Sequence, residues 1–268
     1  MSDLRSALEA ALGPIYRVER EVRPVGDCRM FVVQELPSGP ELLVKLLPAE
    51  LSLAVDAGVF EREIILLADR LGHERLVRPR GAGRAGAFVY HTRHFVDGTT
   101  LRAWLLKHGE LPLRGTVDIL RDILAALAHA HGANVAHGDL KPENVLLTEG
   151  RAAVADTGMV DAVQRSLAGG GPRAPGVATA ALCAAAYVAP ERRSDGSAPP
   201  GPRDDIFAVG VLVHEMLTGR PPAPESEPLD EARTVPPWLG ELVSRCLATE
   251  PAARWRDAGA ALGGVKLF

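Results

Sequence analysis

The apolar positions of this chain change period partway along it. Between residues 15 and 47 they alternate with polar ones in short runs, Tyr16 and Val18, then Met30 to Val33, then Leu42 to Leu47, broken by Pro24, Gly26 and the PSGP turn at 37–40. Alternation sends successive side chains to opposite faces of an extended strand, so the stretch predicts a β-meander. The next segment, VFEREIILLADRLGH, places Phe60, Ile64, Leu67 and Leu71 on one stripe of an amphipathic helix. Strands are expected again near 76–96. After Gly98 the pattern turns helical. TVDILRDILAALAHAH sets Leu120, Ile123, Leu124 and Leu127 on one face, and RDDIFAVGVLVHEMLTG is apolar almost all round, as a buried helix would be. Asp204 or Asp205 would cap the start of that helix, and Gly219 followed by Pro221 would stop it. The chain therefore reads as α+β, with a small β-rich lobe carrying one helix over residues 1–97 and a larger α-helical lobe over 98–268. GGGPRAPG at 169–176 and SDGSAPPGPR at 194–203 are dense in Gly and Pro and read as surface loops.

Composition narrows the function more than the fold. A length of 268 residues with 47% hydrophobic content supports a real core. The net charge of −4 comes with no local run of Lys or Arg, so neither nucleic acid nor an anionic membrane is an expected partner. Cys28, Cys183 and Cys246 are odd in number, far apart and away from metal-ligand spacing, which suits a reduced, cytoplasmic chain. The amino-terminal MSDLRSALEAALGP mixes acidic, basic and apolar residues and lacks the form of a secretion signal.

Chemistry concentrates in HGDLKPENVLLTEGRAAVADTG, from His137 to Gly158. Phosphoryl transfer needs a carboxylate near the attacking hydroxyl, cations against the phosphate oxygens, and hard oxygen ligands for Mg²⁺. Asp139 is a candidate base, Lys141 a candidate phosphate cation, and Asn144 and Asp156 candidate metal ligands. The VLL run after Asn144 reads as a short strand leading toward Asp156.

With these pieces in order, the sequence resembles a bacterial eukaryotic-like Ser/Thr protein kinase over residues 15–262, in the form of a stand-alone kinase domain with a degenerate glycine-rich loop. Val44 and Lys45 resemble the strand-three lysine motif, and Glu63 in FEREI sits where the αC glutamate would pair with Lys45. HGDLKPEN and ADTG resemble the catalytic and metal-binding loops, YVAPE at 187–191 the end of the activation segment, and DIFAVGVLVHEMLTGRPP the large central helix. The resemblance implies a bilobal protein-kinase-like fold that uses ATP and Mg²⁺. Asp139, Lys141, Lys45 and Glu63 would form the catalytic set, with Lys45, Leu43, His94, Val96 and Leu146 around the nucleotide and Asn144 and Asp156 on the metal. It also implies a structural ion pair between Glu191 and Arg254. His129 and His131 are read as packing and helix-capping residues.

Several positions depart from the family pattern. Arg23, Val25 and Cys28 stand where the phosphate-covering loop would carry glycines, leaving only Gly26; a Cβ there holds backbone N–H groups away from phosphate. Arg93 falls at the gatekeeper position, where an unpaired guanidinium would be costly to bury. Leu43 replaces a small roof residue, Thr157 the DFG phenylalanine, and Gly138 the arginine that would bind an activation-loop phosphate. Ala184 stands where a threonine usually adjoins the catalytic Asp, and the APESEPLDEARTV segment is short for a substrate-docking loop. Three readings remain open at this point: a protein kinase acting on an unidentified protein substrate, a pseudokinase serving as a binding module, and a small-molecule phosphotransferase.

Overall fold

The computed structural model describes residues 2–25, 28–167, 177–194, 199–223, 229 and 234–266. Gly26, the loop at 169–176, residues 195–198 of the second Gly/Pro-dense loop and most of the 223–235 segment lie outside the described residues, as do the side chains of Arg23 and Val25. The chain divides into two units: Met1–Gly72 with Val77–Asp97 and Asp161–Arg173, and His73–Leu76 with Gly98–Val160 and Ala174–Phe268.

The first unit holds the expected meander. Strands β1 (Tyr16–Val25), β2 (Cys28–Glu35) and β3 (Glu41–Leu46) pair antiparallel in sequence order; β4 (Pro79–Ala85) and β5 (Phe88–His94) complete a sheet of order β1-β2-β3-β5-β4. The two-residue period puts Phe31 and Val33 of β2 and Leu42, Val44 and Leu46 of β3 into one buried cluster. Two helices beyond the single expected one belong to this unit. Helix α1 (Ser2–Leu12) covers the cluster with Leu8, flanked by Leu4 and Leu12, so the leucines of the amino-terminal segment form a stripe at every fourth residue. Short α2 (Ala49–Ala54) follows β3. Helix α3 (Ala57–Arg70) starts at Asp56, whose carboxylate accepts the Val59 N–H at 2.9 Å, and it buries Phe60, Ile64 and Leu67. At about 1.5–3 kcal/mol per buried large apolar side chain, that stripe fixes the helix more strongly than its cap does.

The second unit is mostly helical. Strand β6 (Thr99–Thr100) leads into α4 (Leu101–His108) and α5 (Leu113–Gly132); β7 (Val145–Thr148) and β8 (Arg151–Val154) form a hairpin beside β6. After α6 (Met159–Ser166), whose residues are divided between the two units, come α7 (Val177–Leu182), α8 (Pro190–Ser194) and α9 (Pro202–Thr218), then α10 (Pro237–Cys246) and α11 (Ala258–Leu262). Helix α9 is buried from Asp205 to Leu217, as its all-round apolar sequence requires. A Cβ at Gly210 would lie 2.8 Å from Cys246 Cβ, so glycine permits the close approach of α9 to α10. The cap of α9 differs from expectation. Gly201 is the N-cap residue, and Asp204 accepts its N–H at 2.8 Å from the third helical position. Asp205 is spent elsewhere, because its buried oxygens are needed by the loop described below.

Candidate active site

In the second unit, Asp205 of α9 organises the loop that follows α5. Its carboxylate accepts the backbone N–H groups of His137 at 2.7 Å and Gly138 at 2.9 Å, and meets His131 Nε2 at 2.9 Å. His131 thus anchors the loop and takes the Ala258 N–H on its other nitrogen at 3.1 Å, instead of capping its own helix. His129 stacks on His73 with ring centroids 5.2 Å apart. His137 is fully buried; Nε2 faces the Ala155 carbonyl at 3.0 Å and Nδ1 accepts the Asp139 N–H at 3.2 Å. These two bonds require the neutral Nε2–H tautomer. Burial pushes the His137 pKa below its ordinary value, against the pull of Asp205, Asp139 and Asp156.

Gly138 has φ +79°, and a Cβ there would stand 2.9 Å from Pro200 Cγ and 3.3 Å from Val160 Cβ. The position expected to carry a phosphate-binding arginine is therefore sterically closed to any side chain.

Asp139, Lys141 and Asn144 come together. Lys141 Nζ lies 2.7 Å from Asp139 Oδ2, and Asn144 Nδ2 donates to the Asp139 carbonyl at 2.8 Å and to Oδ2 at 3.1 Å. A 3-10 turn over Pro142–Asn144 delivers the asparagine, which is 3% exposed. The Ala155 N–H donates to the Asn144 carbonyl at 2.8 Å, which brings neighbouring Asp156 to the same place. Asp156 is buried with φ +62°, a left-handed conformation that Asp tolerates better than most residues. Asn144 uses its amide nitrogen on Asp139, which leaves Oδ1 as its side-chain acceptor. That oxygen and the Asp156 carboxylate are the hard donors Mg²⁺ favours, so the residues fit the ion. Leu146 is buried on β7, paired with Ala153. Thr157 is buried, and its Oγ1 has no hydrogen-bond partner among the described residues. It leaves a polar atom where the family has an aromatic ring.

In the first unit, Leu43 and Lys45 lie on β3, with Leu43 opposite Arg93 and Lys45 opposite His91 of β5. His94 ends β5 and Val96 follows it. Arg93 is buried at 7% exposure and is engaged by neighbouring groups. Glu63 projects from α3, and Arg165 Nε approaches its carboxylate to 4.0 Å. Arg165 is therefore a competitor for the carboxylate expected to pair with Lys45. Its segment is fixed to this unit by backbone bonds: the Asp56 N–H donates to the Ser166 carbonyl at 2.7 Å, and Val55 bridges Leu167. Nothing in the spacing of Arg165 signals this contact.

A second cluster was also hidden from the sequence. Arg102 of α4 donates to Glu143 at 2.7 Å, Glu215 at 2.6 Å and Tyr187 Oη at 2.9 Å, while Tyr187 donates to Glu215. Burial would lower the Arg102 pKa, but the bonds to Glu143 and Glu215 outweigh it and raise it. Burial and Glu215 push the Tyr187 hydroxyl well above its usual range. Glu143 immediately precedes Asn144, so the cluster braces the turn that holds the candidate metal ligand. Nearby, Glu191 and Arg254 form the expected ion pair through both carboxylate oxygens, at 2.7 and 2.8 Å.

Residues 39–259 match the family described as Protein kinase domain. Serine/threonine-protein kinase PknL of Mycobacterium tuberculosis is 36% identical over 205 residues, covering 70% of this chain and 49% of the relative. Serine/threonine-protein kinase PknD of the same organism is 30% identical over 280 residues, 97% of this chain and 40% of the relative. The chain thus spans half or less of the length of these curated relatives. Among solved structures, the Mycobacterium tuberculosis PknI kinase domain superposes with a TM-score of 0.71 at 24% identity, covering 94% of this chain and 95% of that one. Rad53 1–466 in complex with AMP-PNP superposes with a TM-score of 0.73 at 21% identity, covering 97% of this chain and 67% of that one. These two likenesses establish a shared fold.

Proposed function

Because the chain belongs to the protein kinase family, we propose that it is an ATP-dependent Ser/Thr protein kinase, transferring the γ-phosphoryl group of Mg-ATP to a protein hydroxyl. The observation that carries this is the Asp139–Lys141–Asn144 group, with contacts of 2.7 and 3.1 Å converging on one carboxylate oxygen. Asp139 orients the attacking hydroxyl and takes its proton late in a loose transition state. Lys141 offsets charge on the transferring group, a role shared with Lys45 once Glu63 holds that side chain in place. Asn144 Oδ1 and the Asp156 carboxylate would hold Mg²⁺, which when bound neutralises phosphate oxygens. Leu43, His94, Val96 and Leu146 supply the nucleotide-facing apolar and hinge positions.

The relatives named as Ser/Thr protein kinases favour this over a pseudokinase. The YVAPE segment, with Tyr187 buried in the Arg102 cluster, is foreign to small-molecule phosphotransferases and counts against that reading. No described helix is long and apolar enough to cross a membrane. A cytoplasmic location is in keeping with Cys28, Cys183 and Cys246 forming no disulfide among the described residues. The test is ³²P transfer from labelled ATP to a Ser/Thr peptide library, beside thermal-shift titration with ATP with and without Mg²⁺. Mg²⁺-dependent binding with transfer is expected; binding without transfer to any acceptor would return the protein to the pseudokinase reading.

A further inference from the structure

Strand β5 carries an arginine between apolar neighbours. In the antiparallel register Arg93 stands opposite Leu43 of β3 on one side and Pro79 of β4 on the other. Residues directly opposite each other point to the same face of a sheet, and so do residues two apart on one strand. Arg93 therefore shares its face with Leu43 and, two residues along each strand, with the Lys45–His91 pair. Neither Leu43 nor Pro79 has a side-chain acceptor to offer it. Neighbouring groups engage Arg93, while its Nε and Nη1 are buried and take part in no hydrogen bond among the described residues.

A guanidinium donates at every polar atom and accepts at none. In the kinase reading this face of the sheet bears the nucleotide, with Leu43 and Lys45 against it and Arg93 behind the base. Purines differ at the edge that carries N7 and the 6-substituent. Adenine presents the N7 acceptor beside the N6 amino donor, whereas guanine presents two acceptors, N7 and O6. Against Arg93 the adenine amino group meets another donor, and guanine meets the fork with both atoms. Gln and Asn, with a donor and an acceptor in one amide, suit the adenine edge instead. Burial sharpens the difference, because a mismatched polar group there has no water to turn to.

We propose that Arg93 is a specificity-determining residue that reads the base of the phosphoryl donor, and that the site takes a 6-oxopurine nucleoside triphosphate, GTP, at least as well as ATP. The inference rests on the kinase reading of the same site. Transfer from GTP follows the same course: the acceptor oxygen bonds to the γ-phosphorus, the bond to the β–γ bridging oxygen breaks, GDP leaves, and the acceptor's proton goes to Asp139.

The experiment titrates wild type, Arg93→Met and Arg93→Gln with Mg-ATP, Mg-GTP and Mg-ITP by calorimetry, after thermal melting without nucleotide shows which variants fold. ITP keeps O6 and N7 but lacks the 2-amino group of guanine, so it isolates the contact at issue. Wild type is expected to bind GTP and ITP at least as tightly as ATP. Arg93→Met should lower the GTP-to-ATP and ITP-to-ATP affinity ratios about tenfold, and Arg93→Gln should lower them further. A wild type that binds ATP more tightly than GTP or ITP, or ratios that stay the same in the folded variants, would overturn the role of Arg93 and leave the kinase reading standing. If neither variant folds, the wild-type ratios decide. A wild type that binds none of the three nucleotides would remove both.

Discussion

Glu191 places both carboxylate oxygens on a single guanidinium, that of Arg254, whose side chain is fully buried. Arg254 also donates to the Ala248 carbonyl at 2.7 Å, and Phe207 lies under its charge at 5.0 Å. Burial alone would raise the Glu191 pKa; the bond from Arg254 outweighs it and lowers it. Replacing Glu191 with Gln leaves a cation stranded in the interior, so the loss should approach the ~3–5 kcal/mol typical of broken buried pairs. Urea denaturation measures it. A loss under about 1 kcal/mol would mean that the pair is held in water-like surroundings.

Asp139→Asn and Asp156→Asn should separate chemistry from binding. The first removes the proposed proton acceptor and should lower turnover at least about a hundredfold with Mg-ATP affinity nearly unchanged. The second removes a proposed metal ligand and should weaken Mg-ATP binding itself. Calorimetry beside single-turnover phosphoryl transfer distinguishes them, and equal losses of affinity in the two variants would contradict the assignment.

Arg102→Met should act twice. It strands Glu215, whose side chain is 2% exposed, and it loosens Glu143 next to Asn144. A stability loss of about 3 kcal/mol is expected, with a turnover loss of about tenfold at saturating Mg-ATP. Arg102→Lys should restore part of the stability and little of the turnover, since one ammonium cannot reproduce the planar fork on Glu143, Glu215 and Tyr187.

Arg165→Ala should free Glu63 from its competitor. The contact is 4.0 Å long and the Arg165 side chain is 52% exposed, so the effect stays below about 1 kcal/mol, or roughly fivefold in ATP affinity. Titration of both proteins with Mg-ATP checks the direction: tighter binding is expected, and weaker binding would show that Arg165 supports the nucleotide site.

His137 should remain neutral, with its proton on Nε2, at pH values where an exposed imidazole is already protonated. Burial lowers its pKa in the folded state relative to its ordinary value of 6.5. Below that value the unfolded chain therefore binds a proton that the folded one refuses. The stability owed to this residue is complete above about pH 6.5 and is lost as pH falls beneath it. Imidazole ¹⁵N shifts report the tautomer directly; a doubly protonated ring at the pH where an exposed imidazole is half protonated would contradict the Asp139 N–H bond that Nδ1 accepts.

Local chemistry made much of this protein legible in its sequence. Alternation at Phe31, Val33, Leu42 and Val44, and the four-three-four stripe of α3, depend on backbone period and burial alone, so the meander and helix follow from neighbours in the chain. The order of Lys45, Glu63, Asp139, Asn144, Asp156, Glu191 and Arg254 identifies the family because each residue answers a requirement of phosphoryl transfer or of the scaffold. What only the tertiary structure decided are partnerships between distant segments. Asp205 is the anchor of the His137–Asp139 loop and not a helix cap, because α9 is buried and its carboxylate meets unsatisfied N–H groups there. Gly138 has no room for an arginine because Pro200, 62 residues later, fills the space of its Cβ. Arg102 meets Glu143, Tyr187 and Glu215 from three other segments, and Arg165 meets Glu63, without any periodic signal. Charges interact through space, and a one-dimensional pattern records only the distance along the chain.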